Sequence, residues 1–331
     1  MSTTAHILKL ESPKLPRIAR IAAIFALLFC AITLVGAITS APMAFIVAMI
    51  PLAAGIGILR RLTWSAYGFA LYLTAQVPLT AVWIIRNQSN AMSTASTAAL
   101  MIFNLSFIVL FFFAGRAMAR AGARTGHPVL WTLLSVVTAA VFMIYQLFVI
   151  PTGNMEDTLL IGDRILVQRF PKPAFNRDEM VVFSYPVDRK QTNVKRIIGV
   201  SGDRIRIVNK ALIRNGAPVS EPYVSHRTDY IDSYRDNFPS EATFPLGVAA
   251  QQMLANNIVN GEVLVPPRQY FVLGDNRDSS YDSRYFGFVT AGDLLGKPAL
   301  IYDSQLPTEQ DGFKKSIGWS TTRWKRLFRP L

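Results

Sequence analysis

The apolar and polar positions divide the chain into two unlike halves. No charged residue occurs between Ile21 and Leu59, and one helix over that run would be about 60 Å long, roughly twice the hydrocarbon thickness of a membrane. The turn signal TSAP at 39–42 therefore separates two spans. With three further apolar runs, the pattern predicts a membrane α-helical half with about five spans, over residues 19–38, 42–59, 63–85, 96–115 and 129–150.

Basic residues alternate across these predicted spans. Nine lie in the segments on one side, whereas the short loops on the other side carry only Arg86. The nine are Lys9, Lys14, Arg17, Arg20, Arg60, Arg61, Arg116, Arg120 and Arg124. Because short cytoplasmic loops are enriched in Lys and Arg, the pattern predicts a multi-pass protein of the inner cell membrane. Residues 1–18 would form a basic cytoplasmic segment, and the half after residue 150 would be extracytoplasmic.

After residue 150 the apolar positions occur in short runs. DRIRIVN at 203–209 alternates apolar and polar residues, and RILVQRF, EMVVFSYP, QYFVLGDN and KPALIYD are further short apolar segments. Such runs, separated by turn signals such as NG at 215–216, are typical of strands joined by tight turns. The pattern predicts a mostly antiparallel β-domain over residues 151–305. An insertion at about 218–260 shows polar runs without clear strand alternation.

Composition and charge change this picture only in part. Hydrophobic residues make up 51% of the 331 residues, and the formal net charge is +13. The predicted topology accounts for nine of the basic residues, so the charge does not predict nucleic-acid binding. The single cysteine, Cys30, excludes an intrachain disulfide.

The C-terminal residues 306–331 combine basic and aromatic side chains. Those in the final part are Lys314, Lys315, Trp319, Arg323, Trp324, Lys325, Arg326, Phe328 and Arg329. Aromatic rings favour the membrane–water interface, and basic groups favour anionic headgroups. One prediction is therefore a tail that binds membrane lipid, and the alternative is a solvated basic tail.

The run SHRTDYIDSYRD at 225–236 invites a metal-site interpretation. It contains His226 together with Asp229, Asp232 and Asp236. One histidine and carboxylates without a second ligand cluster favour a solvated loop instead. The sequence predicts neither a metal ion nor a cofactor.

Four segments resemble the bacterial type I signal peptidases. They are PTGNMEDTLL (151–160), GDRILVQRF (162–170), KRIIGVSGD (195–203) and GDNRDSSYDSRYFGFV (274–289), in the order and spacing of that family. The resemblance covers about residues 150–303. It implies a serine endopeptidase that removes N-terminal signal peptides from secreted preproteins, at sites with an Ala-x-Ala pattern. The mechanism implied is of the serine/lysine type.

The resemblance also implies roles for individual residues. Lys195 would be the general base, Ser280 would orient it, and Thr152 would contribute to the oxyanion hole. A lysine can act as a base only when it is neutral, and burial lowers the pKa of an ammonium group towards that condition. The residues implied to be structural near the site are Gly274, Asp275, Asp282 and Arg284.

The sequence departs from the family pattern at Asn154, where a nucleophilic serine is expected. A carboxamide nitrogen is a poor nucleophile because its lone pair is delocalised. Three interpretations stay open: a weak peptidase that uses another hydroxyl such as Thr152, a non-catalytic homologue that binds signal peptides, or a substitution introduced into a competent site. A rival of another class is a polytopic anchoring or transport protein whose β-domain performs no chemistry.

Overall fold

The computed structural model describes residues 14–39, 44–86, 94–306 and 322–331. The chain divides into two compact units, Met1–Met143 and Ile144–Leu331. Each unit has its own buried core, and the second contains all the residues for which a role in catalysis is predicted.

The described part of the first unit is helical. Its helices are α1 (Arg17–Thr39), α2 (Ala44–Leu59), α3 (Thr63–Arg86), α4 (Thr94–Arg120) and α5 (Pro128–Ile144). Small side chains such as Ala22 and Ala66 lie in its core beside the rings of Phe69, Phe111 and Trp131. Alanines allow helices to approach closely, and the aromatic rings fill the remaining volume.

The prediction of five membrane spans is wrong for the part of the chain that the structure describes, where no helix combines the length and the apolar character needed to cross a membrane. Two of the predicted spans fold as helices of 16 and 17 residues, and a span needs about 20. The multi-pass topology that was deduced from the loop charges loses its basis. Residues 40–43, which cover most of the predicted turn at 39–42 and the start of the second predicted span, lie outside the described residues.

The end of the fifth predicted span has a different structure. Helix α5 ends at Ile144, and residues Tyr145–Val149 form strand β1, which pairs antiparallel with β2 (Asp163–Gln168). The sequence YQLFVI is apolar and β-rich in composition, and a short apolar run cannot by itself distinguish a helix from a strand. Pairing with β2 makes these residues part of the second unit.

The second unit is built from two antiparallel sheets, in agreement with the predicted β-domain. The remaining strands of the larger sheet are β3 (Met180–Ser184), β4 (Thr192–Gly199), β10 (Gln269–Leu273), β11 (Val289–Thr290), β12 (Leu294–Ser304) and β13 (Arg329–Pro330). Its order is β1-β2-β12-β3-β4-β10-β11, with β13 also on β12.

The smaller sheet has the order β7-β6-β5-β9-β8. Its strands are β5 (Arg204–Val208), β6 (Ala211–Arg214), β7 (Ala217–Pro218), β8 (Ile258–Val259) and β9 (Glu262–Leu264). Two helices complete the unit, α6 (Val248–Asn256) and the short α7 (Ser283–Phe286). The region predicted as an insertion contains α6 and β8, joined to the rest by long loops.

Strand β4 is buried on both faces at its C-terminal end. Ile197 packs in one apolar cluster with Val181 and Phe286, and the adjacent Ile198 packs in another with Ile205. A strand that is covered on both faces carries consecutive apolar residues rather than an alternating pattern. This arrangement excludes water from the stretch that follows Lys195.

Two strand edges lie open near the predicted site. Strand β10 pairs with β4 only from Arg196 to Gly199, so within the part of the chain that the structure describes, Thr192–Lys195 have no strand partner on that side. Among the described residues, β1 pairs only with β2. Unpaired edges are the places where an extended peptide can add main-chain hydrogen bonds.

Residues 322–331 return to the larger sheet. Strand β13 pairs with β12, and Arg323 and Arg326 form ion pairs with the buried Asp163. These two guanidinium groups are thus engaged within the protein. Lys314, Lys315 and Trp319 lie outside the described residues, and lipid binding by the tail stays a prediction.

Candidate active site

Lys195 is completely buried in strand β4. Its Nζ donates a hydrogen bond to Ser280 Oγ at 2.9 Å. Burial lowers the pKa of Lys195 from 10.5 to about 8; the negative charges of Asp282 and Asp275 oppose this shift, and Arg284 adds to it. A substantial fraction of the amine is therefore neutral near pH 8, as a general base requires.

Asn154 lies on the other side of the lysine amine, in a 3-10 turn formed by Gly153–Met155. In the amide orientation that satisfies its hydrogen bonds, Asn154 Oδ1 accepts from Lys195 Nζ at 3.2 Å and from Thr152 Oγ1 at 3.1 Å, and its nitrogen donates to Ser279 O at 2.9 Å. The carboxamide thus contacts both the predicted base and the predicted oxyanion donor.

Gly274 allows the two loops to meet. A Cβ atom at this position would collide with Ser280 Oγ and with the backbone oxygen of Asn154. Asn276, just beyond Gly274, donates from its backbone N to Asn154 O at 3.2 Å and from Nδ2 to Gly153 O at 3.1 Å. The loop that carries Ser280 therefore holds the turn that carries Asn154.

Asp282 and Arg284 form a buried ion pair beside the site. Arg284 Nη2 lies 2.7 Å from Asp282 Oδ2 and its Nε lies 2.8 Å from Oδ1, with both side chains at most 1% exposed. Burial raises the pKa of Asp282, but Arg284 and hydrogen bonds including one from Ser280 more than offset this, so the pKa lies below its usual range. The ionised Asp282 also accepts from Gly274 N at 3.2 Å.

Asp275 links a second set of elements. It receives two hydrogen bonds from Arg196, at 2.8 Å and 2.6 Å, and one from Thr158 Oγ1 at 2.6 Å. Arg196 directly follows Lys195, and Thr158 follows the Asn154 turn. A bidentate arginine–carboxylate pair is directionally specific, so Asp275 sets the spacing between β4 and this turn.

A small cavity of about 40 Å³ opens beside Asn154. Its walls come from the end of β1 and the residues after it, from the Asn154 turn, and from the open edge of β4. The lining residues include Phe148, Ile150, Thr152, Asn154, Met155 and Val194. The cavity is mostly apolar and has room for a small side chain.

The structure brings together all the residues that the sequence predicted to form the site, and adds a segment that the sequence analysis treated as loop. Residues Glu221–Thr228, here called the strap, contact Arg196, Arg277 and Asp278. His226, considered above as a metal ligand, contacts Asp278 through Nδ1 at 3.2 Å. Polar residues in a loop give no periodic signal, so only the tertiary structure identifies these contacts.

A buried lysine of lowered pKa that contacts a serine hydroxyl has the surroundings that a lysine needs to serve as a base. The chain belongs to the signal peptidase family, peptidase S26, whose family model matches residues 123–302. The predicted family is thus confirmed, and with it the class of enzyme, a hydrolase that acts on preproteins bearing signal peptides.

Individual relatives agree with the family model. The chain is 30% identical to the signal peptidase I of Buchnera aphidicola subsp. Acyrthosiphon pisum, over 49% of this chain and 69% of that protein. It is 31% identical to the signal peptidase I of Bacillus caldolyticus, over 56% of this chain and 94% of that protein. It is 30% identical to the signal peptidase I of Aquifex aeolicus, over 52% of this chain and 82% of that protein.

Proposed function

We propose that this chain binds the C-terminal end of signal peptides in the cleft beside Asn154, and that Asn154 blocks the acyl transfer that a serine would begin. The observation that carries the proposal is the placement of Lys195 Nζ between Ser280 Oγ at 2.9 Å and Asn154 Oδ1 at 3.2 Å. These two contacts support Lys195 as the base and Ser280 as the hydroxyl that orients it, with a carboxamide where a hydroxyl nucleophile is expected.

The chemistry of the two side chains accounts for the block. A serine hydroxyl at position 154 would give its proton to neutral Lys195 and attack the scissile carbonyl. The Asn154 nitrogen has a delocalised lone pair and donates to Ser279 O. In addition, Asn154 Oδ1 accepts a hydrogen bond from the Thr152 hydroxyl. That hydroxyl would otherwise donate to the oxyanion of a tetrahedral intermediate and stabilise it.

The size and lining of the cavity beside Asn154 indicate which class of peptide binds there. A cavity of about 40 Å³ with mostly apolar walls favours alanine-sized side chains over larger ones such as leucine. The edge of Thr192–Val194 that faces away from β3 supplies main-chain donors and acceptors to an extended segment. Together these features favour signal peptides that end in an Ala-x-Ala pattern.

Two measurements test the proposal. Titration with an uncleaved Ala-x-Ala signal peptide should show binding to the chain as it stands, and replacing the last alanine by leucine should abolish it. The cleavage assay should show no product with this chain, product with Asn154→Ser, and none with Asn154→Ser combined with Lys195→Ala. A folded Asn154→Ser variant that binds the peptide and leaves it intact would show that Lys195 does not act as the base.

A second candidate function is slow cleavage with Thr152 as the nucleophile. It is favoured by one observation, the 3.1 Å contact of Thr152 Oγ1 with the same amide oxygen that contacts Lys195 Nζ. If the chain as it stands yields product and Thr152→Val yields none while still binding peptide, Thr152 is the nucleophile. Equal rates for the two proteins would exclude it.

A further inference from the structure

The strap, Glu221–Thr228, runs along the loop that carries Ser280 and contacts it at successive positions. Its backbone pairs with Asn276 in a short parallel bridge, in which Ser225 N donates to Asp275 O at 2.8 Å and Arg277 N donates to Ser225 O at 3.0 Å. The strap thus lies beside the segment between Gly274 and Ser280 and is joined to it by backbone hydrogen bonds, as a neighbouring strand would be.

The start of the strap holds Arg277. Glu221 receives two hydrogen bonds from the guanidinium group of Arg277, at 2.5 Å and 2.8 Å, and the two side chains are 7% and 3% exposed. Arg277 Nε also donates to Gly274 O at 3.0 Å. A buried and bidentate pair of this kind has one favourable geometry, so Glu221 orients the turn beside Gly274.

The middle of the strap holds Arg196. The centre of the Tyr223 ring lies 3.8 Å from the guanidinium carbon of Arg196. This distance is typical of a cation–π contact. Two hydrogen bonds to Asp275 hold the same guanidinium. Because Arg196 directly follows Lys195 in β4, Tyr223 limits the movement of the strand beside the catalytic amine.

The end of the strap is anchored by Asp278, whose side chain is 1% exposed. Asp278 Oδ2 accepts from the backbone N of Arg227 at 2.7 Å and of Thr228 at 2.8 Å, and from Thr228 Oγ1 at 2.8 Å. The side chain of Arg227 extends to the Asn154 loop, where its Nη2 lies 2.6 Å from Asp157 Oδ1. The strap therefore reaches the loop of Ser280, the strand of Lys195 and the loop of Asn154.

We propose that the strap is a positioning element of the peptidase site, which keeps Lys195 buried and aligned by holding Arg196 and the Ser280 loop in place. Tyr223 and Glu221 are then positioning residues, since they act through Arg196 and Arg277 and touch no reacting atom. The inference rests on the proposed function for its kinetic consequence. Its structural consequence, a protected Lys195 amine, is independent of that function.

The test uses the full chain with Tyr223→Leu, Tyr223→Phe and Tyr270→Leu. Tyr270 is a matched control because it is half-buried like Tyr223 and packs against Phe175 at the other end of β10 from Gly274. The readout is the NMR titration of the Lys195 side chain in lysine-labelled protein. We expect Tyr223→Leu to raise the pKa of Lys195 from about 8 towards 10.5, and the other two variants to leave it near 8.

The same substitutions in the Asn154→Ser background test the kinetic consequence. A rise of one unit in the pKa of Lys195 leaves about tenfold less neutral amine at pH 7, so kcat should fall about tenfold in Tyr223→Leu. KM should change less than twofold because Tyr223 does not line the cavity beside Asn154. Tyr223→Phe should restore the rate, since the ring face is retained.

The outcomes separate the two proposals. An unchanged Lys195 titration in folded Tyr223→Leu overturns the role of the strap, whatever the cleavage assay shows. If Asn154→Ser does not cleave, the proposed function fails and the titration still decides the role of the strap. Should Tyr223→Leu fail to fold, Glu221→Gln is the alternative variant, with the same expected rise in the pKa of Lys195 and the same overturning result.

Discussion

Lys195 Nζ and Ser280 Oγ are 2.9 Å apart, with the two residues 0% and 6% exposed to solvent. The serine hydroxyl also faces Asp282, whose carboxylate is kept ionised by Arg284. The amine thus contacts a neutral hydroxyl, and the carboxylate of Asp282 is paired with Arg284. Burial is the main cause of the lowered pKa of Lys195, and Arg284 adds to it, while the charges of Asp282 and Asp275 oppose it.

The first prediction concerns pH. Only neutral Lys195 accepts a proton, and its pKa lies at about 8 instead of 10.5. Cleavage by the Asn154→Ser variant should therefore rise from pH 6 to pH 9, with an inflection near 8 in kcat. Single-turnover rates across this range measure it, and Asn154→Ser with Lys195→Ala serves as the inactive control. A flat profile would mean that Lys195 carries no proton in the rate-limiting step.

The second prediction concerns stability. A lysine whose pKa is lowered on folding binds fewer protons in the folded state, so it costs stability below pH 8 and the cost disappears as pH rises from 8 to 10.5. Lys195→Met fills a similar volume without charge. It should stabilise the protein at pH 7 by about 3 kcal/mol, from roughly 1.4 kcal/mol for each unit of the shift.

Denaturant unfolding at pH 7 and at pH 10.5 measures this difference. The gain from Lys195→Met should shrink at the higher pH, where the folded amine is neutral and only about half of the unfolded amines keep their charge. An exposed lysine such as Lys190 supplies the control, since Lys190→Met should change stability little at either pH. A loss of stability in Lys195→Met at pH 7 would contradict the lowered pKa.

The site residues could be predicted from the sequence because they lie in short motifs that resemble those of a known family. Lys195 stands in KRIIGVSGD and Ser280 in GDNRDSSYDSR, and each motif carries its residues to a fixed place in the β-domain. Asp282 and Arg284 were likewise implied to be structural residues near the site, and the structure shows that they pair. The contact of Asn154 Oδ1 with both Lys195 and Thr152 required the structure.

The structure of two other parts of the chain could not be predicted from the sequence, and each has its own physical reason. Residues Tyr145–Val149 were assigned to a span because their apolar character is the same in a helix and in a strand. Glu221 and Tyr223 were assigned to the insertion, and Arg227 to a solvated loop, because these residues find their partners through the tertiary fold. The hydropathy of a sequence segment also does not show where a helix ends or which residues pack against that helix.

The third prediction concerns Gly274. Its missing Cβ leaves space for Ser280 Oγ and Asn154 O, so Gly274→Ala must separate the two loops. In the Asn154→Ser background we expect at least a hundredfold loss of kcat/KM, since misplacement by about 1 Å has effects of that size. Gly292→Ala is the matched control, because its Cβ would meet only Thr290 Oγ1 at 3.7 Å. Equal activity of the two variants would show that Gly274 does not set the site.

The fourth prediction concerns Arg284, whose loss would leave Asp282 ionised, buried and unpaired. Removing one partner of a buried ion pair costs about 3–5 kcal/mol, so Arg284→Met should lower the free energy of unfolding by that amount at pH 7. The loss should be smaller below pH 4, where protonation of Asp282 removes the uncompensated charge. Arg204→Met breaks the exposed pair with Glu262, at 3.5 Å, and should cost at most about 1 kcal/mol.

The double variant Arg284→Met with Asp282→Asn separates the charge effect from packing. If the unpaired carboxylate is the main cost, the double variant should recover a large part of the stability lost in Arg284→Met. It should nevertheless fail to support cleavage in the Asn154→Ser background, because Asp282 also accepts from Gly274 N at 3.2 Å and holds the Ser280 hydroxyl. Recovery of cleavage together with stability would show that the pair serves folding alone and leaves the alignment of Ser280 with Lys195 to the strap.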